Sequence, residues 1–250
     1  MKNTYRIGQI VPSSNVTMET EIPAIFRSRE TILPERFTFH SSRMRMKKVT
    51  KEELEAMDAM SLKCAQELSD AHVDVMGYAC LVAIMSMGHG YHCVSEANLH
   101  SETIKNDFPT PIVTSAGALI NGLRVLGAKK VAVITPYMKP LTQLVVDYIK
   151  DQGFEVVDFI ALEISDNLEV AAQDPMNLLE IYKRLNLEGV DVLVASACVQ
   201  MPSLEAVDLI EKEIGIPVTT AAICTTYEMM KKLGIKAKAP IGGSLLSGKY

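Results

Sequence analysis

The chain lacks tryptophan and carries only 6% aromatic residues and five histidines in 250 residues. It has no apolar run of the ~18 to 20 residues that a bilayer-crossing helix requires, so a membrane-spanning role is excluded at this level. Neither a Walker sequence nor a G-x-G-x-x-G fingerprint is present, which leaves nucleotide binding without a motif, and no G-x-S-x-G elbow supports a serine hydrolase. The five cysteines, Cys64, Cys80, Cys93, Cys198 and Cys224, are odd in number and never spaced C-x-x-C. That argues against a disulfide framework and a zinc ribbon, and for free thiols in a reducing compartment. His89, His92 and Cys93 match no common metal spacing, so no metal is expected. Residues 1–12 run straight into a strand-like pattern without the apolar core of a signal peptide, from which a cytoplasmic location is expected.

A large excess of either charge is also missing, with 25 basic and 30 acidic residues. The net charge is -5, and Arg43, Arg45, Lys47, Lys48 and Lys51 form only one local basic cluster, which reads as a solvated loop or helix approach. Nucleic acid is therefore not an expected partner.

What is present is an alternation of apolar runs and amphipathic stretches, the pattern of βαβ units and a mainly parallel α/β sheet. Strands are expected near 5–11, 36–40, 73–79, 112–114, 130–134, 155–161, 191–196 and 218–220. Helices are expected near 51–69, 141–152, 175–185 and 203–213, the last with Ser203 as its N-cap. The pattern is duplicated. Val73-Asp74-Val75 leads to Cys80 as Val190-Asp191-Val192 leads to Cys198, and Pro111-Ile112-Val113-Thr114 matches Pro217-Val218-Thr219-Thr220. Residues 7–12 and 131–136 are a further pair, each an apolar strand closed by proline. Two lobes follow, 1–115 plus 221–250 and 116–220, with crossings near Ala116 and Ala221. No Gly-, Ser- or Pro-rich linker separates them, so they are expected to pack around a cleft.

Ligands of parallel α/β sheets bind beyond the carboxyl ends of the strands, which is where Cys80 and Cys198 fall. A thiol attacks as thiolate, and a strand-to-helix turn can lower its pKa. The apolar, glycine-punctuated segment 81–90 is expected to be a loop lining the pocket. Cys64, Cys93 and Cys224 lack this setting and are expected to be structural. The segments 12–15, 135–137 and 164–167 offer neutral donors that suit a small anion, although Ser13, Ser14, Ser165 and Asp166 read equally as helix caps and turn residues. Residues 41–50 read equally as a lid or as an ordinary loop. Gly242-Gly243, after Pro240, reads as a turn.

The set Pro12-Ser13-Ser14-Asn15, Tyr78-Ala79-Cys80, Thr135-Pro136-Tyr137, Ser165-Asp166-Asn167 and Ser196-Ala197-Cys198 resembles the maleate cis-trans isomerases of the aspartate/glutamate racemase superfamily, over essentially the whole chain. The resemblance implies two Rossmann-like, flavodoxin-like lobes related by pseudo-twofold symmetry, a cofactor-free site between them and a homo-oligomer, dimer or tetramer. It implies a small dicarboxylate substrate, maleate, converted to fumarate. By motif, Cys80 would be the attacking thiolate, Cys198 its partner acid or base, and Asn15, Tyr137 and Asn167 the holders of the carboxylates, with Ser14, Val82 and Val199 beside them. Amino-acid racemases of the superfamily continue the two cysteines with Asn-Thr and Thr-His, where this chain has Leu81-Val82 and Val199-Gln200. Arylmalonate decarboxylases lack the first cysteine. A two-cysteine racemase or epimerase, and a non-catalytic two-lobed anion-binding protein, are the competing readings.

Overall fold

Two parallel four-stranded sheets repeat one strand order in a computed structural model that describes residues 3–47 and 50–250. The first holds β1 (Thr4–Pro12), β2 (Arg36–Met44), β3 (Val75–Tyr78) and β4 (Ile112–Thr114) in the order β2-β1-β3-β4. The second holds β5 (Lys130–Thr135), β6 (Glu155–Ala161), β7 (Val192–Ser196) and β8 (Val218–Thr220) in the order β6-β5-β7-β8. The expected duplication is thus a duplication of topology. Every residue of β3 and β7 is buried, as for interior parallel strands covered on both faces, which explains their unbroken apolar runs.

The helices are α1 (Met18–Arg29), α2 (Lys51–Asp70), α3 (Leu81–Ser86), α4 (Tyr91–Lys105), α5 (Ser115–Val125), α6 (Lys139–Asp151), α7 (Asn167–Ala171), α8 (Leu178–Ile181), α9 (Leu204–Ile214) and α10 (Ala221–Lys232). The repeat reaches their caps. Thr114 and Thr220, the last residues of β4 and β8, each turn a side-chain oxygen onto a backbone N–H of the next helix, at Gly117 and Ile223. No helix among the described residues is long and apolar enough to cross a membrane.

Three expectations change. Residues 81–86 form α3 instead of a loop, because Leu81, Val82, Ala83, Ile84 and Met85 are all buried, and a segment apolar on every side is stable as an interior helix. Strand β2 runs on to Met44, since pairing with β1 in the register Gln9↔Ser41 to Pro12↔Met44 outweighs the weak strand propensity of its serines and arginine. The segment 41–50 is therefore half strand, and Lys48 and Val49 of the basic cluster and suggested lid lie outside the described residues. Residues 175–185 are a single-turn helix, α8, between two 3₁₀ turns, held by buried Leu178, Tyr182 and Leu185 rather than by one continuous ladder.

Helix α10 packs along α5 and also against α1, β3 and β4, so the last helix returns from the second sheet to the first. The α5–α10 approach depends on Gly122. A Cβ there would lie 2.5 Å from the Cys224 sulfur. Gly122→Ala should therefore lower the melting temperature by a few degrees, an overpacking cost of about 1–3 kcal/mol set against ~1 kcal/mol of improved helix propensity. Thermal unfolding of Gly122→Ala/Cys224→Ala, which removes the sulfur, should recover that loss.

Candidate active site

Cys80 and Cys198 each stand two residues beyond an interior strand. The alanine before each is pinned alike: Ala79 N–H bonds the Ile10 carbonyl at 3.1 Å, and Ala197 N–H bonds the Ile134 carbonyl at 3.0 Å. Strand pairing thus carries both thiols to one small cavity of about 20 Å³, which Asn15, Val82, Tyr137, Asn167 and Val199 also line. Ser14 does not line it; its hydroxyl accepts from Asn167 Nδ2 at 2.8 Å. Among the described residues, no side chain lining this cavity carries a formal charge.

Cys80 takes φ +104°, a region that costs a non-glycine residue about 1–3 kcal/mol. This turn ends β3 and opens α3 at once, which leaves the thiol at the mouth of the helix. Its carbonyl accepts from Ala83 N–H at 3.1 Å. Burial nevertheless pushes the Cys80 thiol up to about 12, opposed by a backbone hydrogen bond from Ala83 and reinforced by the neighbouring Cys198 and Asp58. Burial also raises Cys198, opposed by the Tyr137 hydroxyl and by the backbone N–H groups of Gln200 and Met201. The expected lowering at a strand-to-helix turn is therefore reversed, because desolvation of a thiolate outweighs one short helix's amides.

A raised pKa makes the reactive thiolate scarcer at any lower pH. Iodoacetamide labelling of Cys80 should thus accelerate about tenfold per pH unit from about pH 7 to 10 without levelling. Peptide mass spectrometry reads this directly, and a plateau near pH 8 would show that burial does not govern the thiol.

Tyr137 is buried, and its hydroxyl lies between the Ala197 carbonyl, at 3.4 Å, and the Cys198 thiol. Burial holds its pKa well above the usual phenol range, so it remains a donor. Asn15 uses Oδ1 to accept from the N–H groups of Thr17 and Met18, both at 2.9 Å, which starts α1 and leaves its amide NH₂ as the group to present to a ligand. Asp166 only caps α7, accepting from Leu168 and Glu169. Ser13 pairs its hydroxyl with the backbone of Met46, and Ser165 lines a wider cavity of about 440 Å³ outside the site. That cavity touches the small one through Tyr137 and Asn167.

Two functional supports were not anticipated. Arg43 donates to the carbonyls of Ser13 and Asn15 and pairs with Glu19, which fixes the loop bearing Asn15. Glu21, buried on α1, accepts from the N–H groups of Ser203, at 2.5 Å, and Leu204, at 2.7 Å. Glu21 therefore caps α9 in place of Ser203, whose own side chain makes no cap bond. The signal for Glu21 was a carboxylate inside the apolar stripe Met18, Ile22, Ile25, Phe26 of α1.

Cys64 and Cys224 are buried, but Cys93 is exposed on α4 and packs no core, contrary to expectation. The neighbouring histidines serve elsewhere: His89 pairs with Asp151, and His92 Nδ1 meets the Tyr148 hydroxyl at 2.5 Å. Among the described residues no group of three or more His, Cys, Asp or Glu side chains is placed to hold a metal ion.

The family model described as arylmalonate decarboxylase matches residues 7–246. A maleate isomerase of Pseudomonas putida is 63% identical over 250 residues, covering all of both chains. The chain belongs to the maleate isomerase family. Among solved maleate isomerases, a cysteine-to-alanine variant of Iso from Pseudomonas putida S16 with maleate is 64% identical at a TM-score of 0.97, covering 99% of each chain. The Nocardia farcinica maleate cis-trans isomerase, solved as a cysteine-to-serine mutant with a covalently bound succinylcysteine intermediate, is 42% identical at a TM-score of 0.95, covering 99% of this chain and 100% of that one.

Proposed function

We propose that this chain isomerises maleate to fumarate by transient covalent addition, with Cys80 as nucleophile and Cys198 as proton carrier. The observation that carries this is two thiols, from equivalent strand ends, on one uncharged cavity, in a chain whose full-length relatives include maleate isomerases. A C=C bond does not turn at ambient temperature, so catalysis requires making it single for a moment.

The Cys80 thiolate adds to one alkene carbon. The π electrons take a proton from Cys198 at the adjacent carbon, giving a succinyl thioether and leaving Cys198 as thiolate. The central bond then rotates. Cys198 recovers the proton from the same carbon, the double bond re-forms, and the C–S bond breaks to return the Cys80 thiolate. Negative charge that develops toward the adjacent carboxylate is met by neutral donors from Asn15, Tyr137 and Asn167, which are held in place before the substrate arrives. Val82 and Val199 supply apolar walls, and Ser14 orients the Asn167 amide. None of these steps uses a redox reagent or a metal.

The lobes divide as 1–115 with 221–250 and 116–220, supported on the C-terminal side by the contacts of α10 with α1, β3 and β4. The test of function is a proton NMR time course of maleate with the purified protein and no additive. The maleate olefinic signal should give way to that of fumarate alone; an unchanged spectrum with intact Cys80 and Cys198 would refute the activity.

A further inference from the structure

The Cys198 loop is held from outside its own strand by one side chain. Gln200 is buried, 3% exposed, and each hydrogen bond of its amide goes to backbone. Its Oε1 accepts the Val16 N–H at 3.0 Å, and its Nε2 donates to the Ser14 carbonyl at 3.0 Å and the Asn167 carbonyl at 2.7 Å. Its own backbone N–H points at the Cys198 sulfur, 3.4 Å away. The Asn167 Nδ2 bond to the Ser14 hydroxyl closes a ring through the same residues. Three loops from both sheets, one after β1, one after β6 and one after β7, therefore meet on a single amide.

We infer that Gln200 is a positioning residue that locks the two asparagine donors, Asn15 and Asn167, to the loop carrying Cys198, so that carboxylate binding and proton delivery share one geometry. The inference rests on the roles given to Asn15, Asn167 and Cys198 above. The chemistry demands this residue type. Two carbonyls and one N–H have to be met by two donors and one acceptor from a side chain of this length, which only glutamine provides. Glutamate would set a carboxylate oxygen against two carbonyls, methionine would fill the space with no polar partner, and asparagine falls one methylene short. The same network fixes the amide orientation, since the flipped form places oxygen against both carbonyls.

Gln200→Met keeps the volume, and Gln200→Glu is the second variant should the first not fold. For either, KM for maleate should rise about tenfold to a hundredfold and kcat fall about tenfold, because displacement of a binding group by about 1 Å costs on the order of 10²-fold. Combined with Asn167→Ala, the loss should be smaller than the product of the single losses, since that variant removes the side-chain donor that Gln200 positions through the Asn167 backbone carbonyl. Hydrogen exchange at the Val16 amide should quicken in Gln200→Met. Kinetic constants within twofold of the parent protein, or fully multiplicative losses with Asn167→Ala, would overturn the assignment. Should the parent protein make no fumarate, the function fails instead, and exchange alone decides Gln200: unchanged protection of residues 14–16 would refute its positioning role.

Discussion

Cys80→Gly should yield a protein that melts above Cys80→Ala and turns over no maleate. At φ +104° the backbone of residue 80 is costly for any side chain with a Cβ and open to glycine. Alanine removes the sulfur but keeps the strain, so the two variants separate backbone cost from thiol packing. With about 1–3 kcal/mol of strain relieved and ~0.5–1 kcal/mol of extra unfolded-chain entropy opposing it, the glycine protein should melt higher by several degrees, at about 2–4 °C per kcal/mol for this size. Turnover should fall at least ~10⁴-fold in both, because the thiol that remains on the cavity, Cys198, is the proton carrier and cannot also form the covalent adduct. Thermal unfolding and fumarate formation check the two halves separately. Equal melting points would remove the strain argument, and substantial turnover by either variant would remove Cys80 from the chemistry.

The strain and the burial act together. A thiol held beyond a strand end by unfavourable backbone, and pushed toward its protonated form by the cavity, is by itself a poor nucleophile. On the proposed mechanism, reactivity is tied to the bound dicarboxylate, whose carboxylates engage the neutral donors and place the alkene against the sulfur. This arrangement favours charge that develops during addition over charge present at rest, which is the useful direction for catalysis.

Much of this architecture was legible in the chain because it is written twice. The paired runs before Cys80 and Cys198, and the Thr114 and Thr220 strand ends, mark equivalent places in two sheets of identical order. Both cysteines and the Asn15, Tyr137 and Asn167 loops are strand-end features, and strand ends in a parallel sheet converge by construction. What escaped the sequence was whatever depends on partners distant along the chain. Segment 81–86 reads as a loop until its all-round burial is known. The serines and arginine of 41–44 look unlike a strand until β1 is placed beside them. Arg43, Glu21 and Gln200 act on backbone groups of other loops, and a backbone partner leaves no trace in sequence. Only Glu21 carried a warning, as a charge in an apolar stripe. The direction of the cysteine pKa shifts was missed for a related reason: local geometry suggested stabilising amides, whereas the magnitude is set by how completely the two halves exclude water.

Cys198→Ser should lower kcat by about 10²- to 10⁴-fold, the range for loss of a general acid–base group, while leaving Cys80 able to add to maleate. A serine hydroxyl holds its proton far more tightly than a thiol and is a poor donor to carbon and a poor acceptor from it. Addition by Cys80 is then completed by a proton from water, and the reverse removal of that proton has no base. The succinyl thioether should accumulate. Mass spectrometry of the quenched protein should find one maleate unit on the Cys80 peptide, and in D₂O the adduct should carry deuterium at the carbon next to the thioether carbon. The reciprocal Cys80→Ser protein should form no adduct at either position. An adduct on Cys198 in that protein would exchange the two roles. Loss of turnover in Cys198→Ser with an unmodified Cys80 would instead make Cys198 the group that generates the nucleophile, a distinction that sequence symmetry between the two strand ends cannot draw and proton inventory at carbon can.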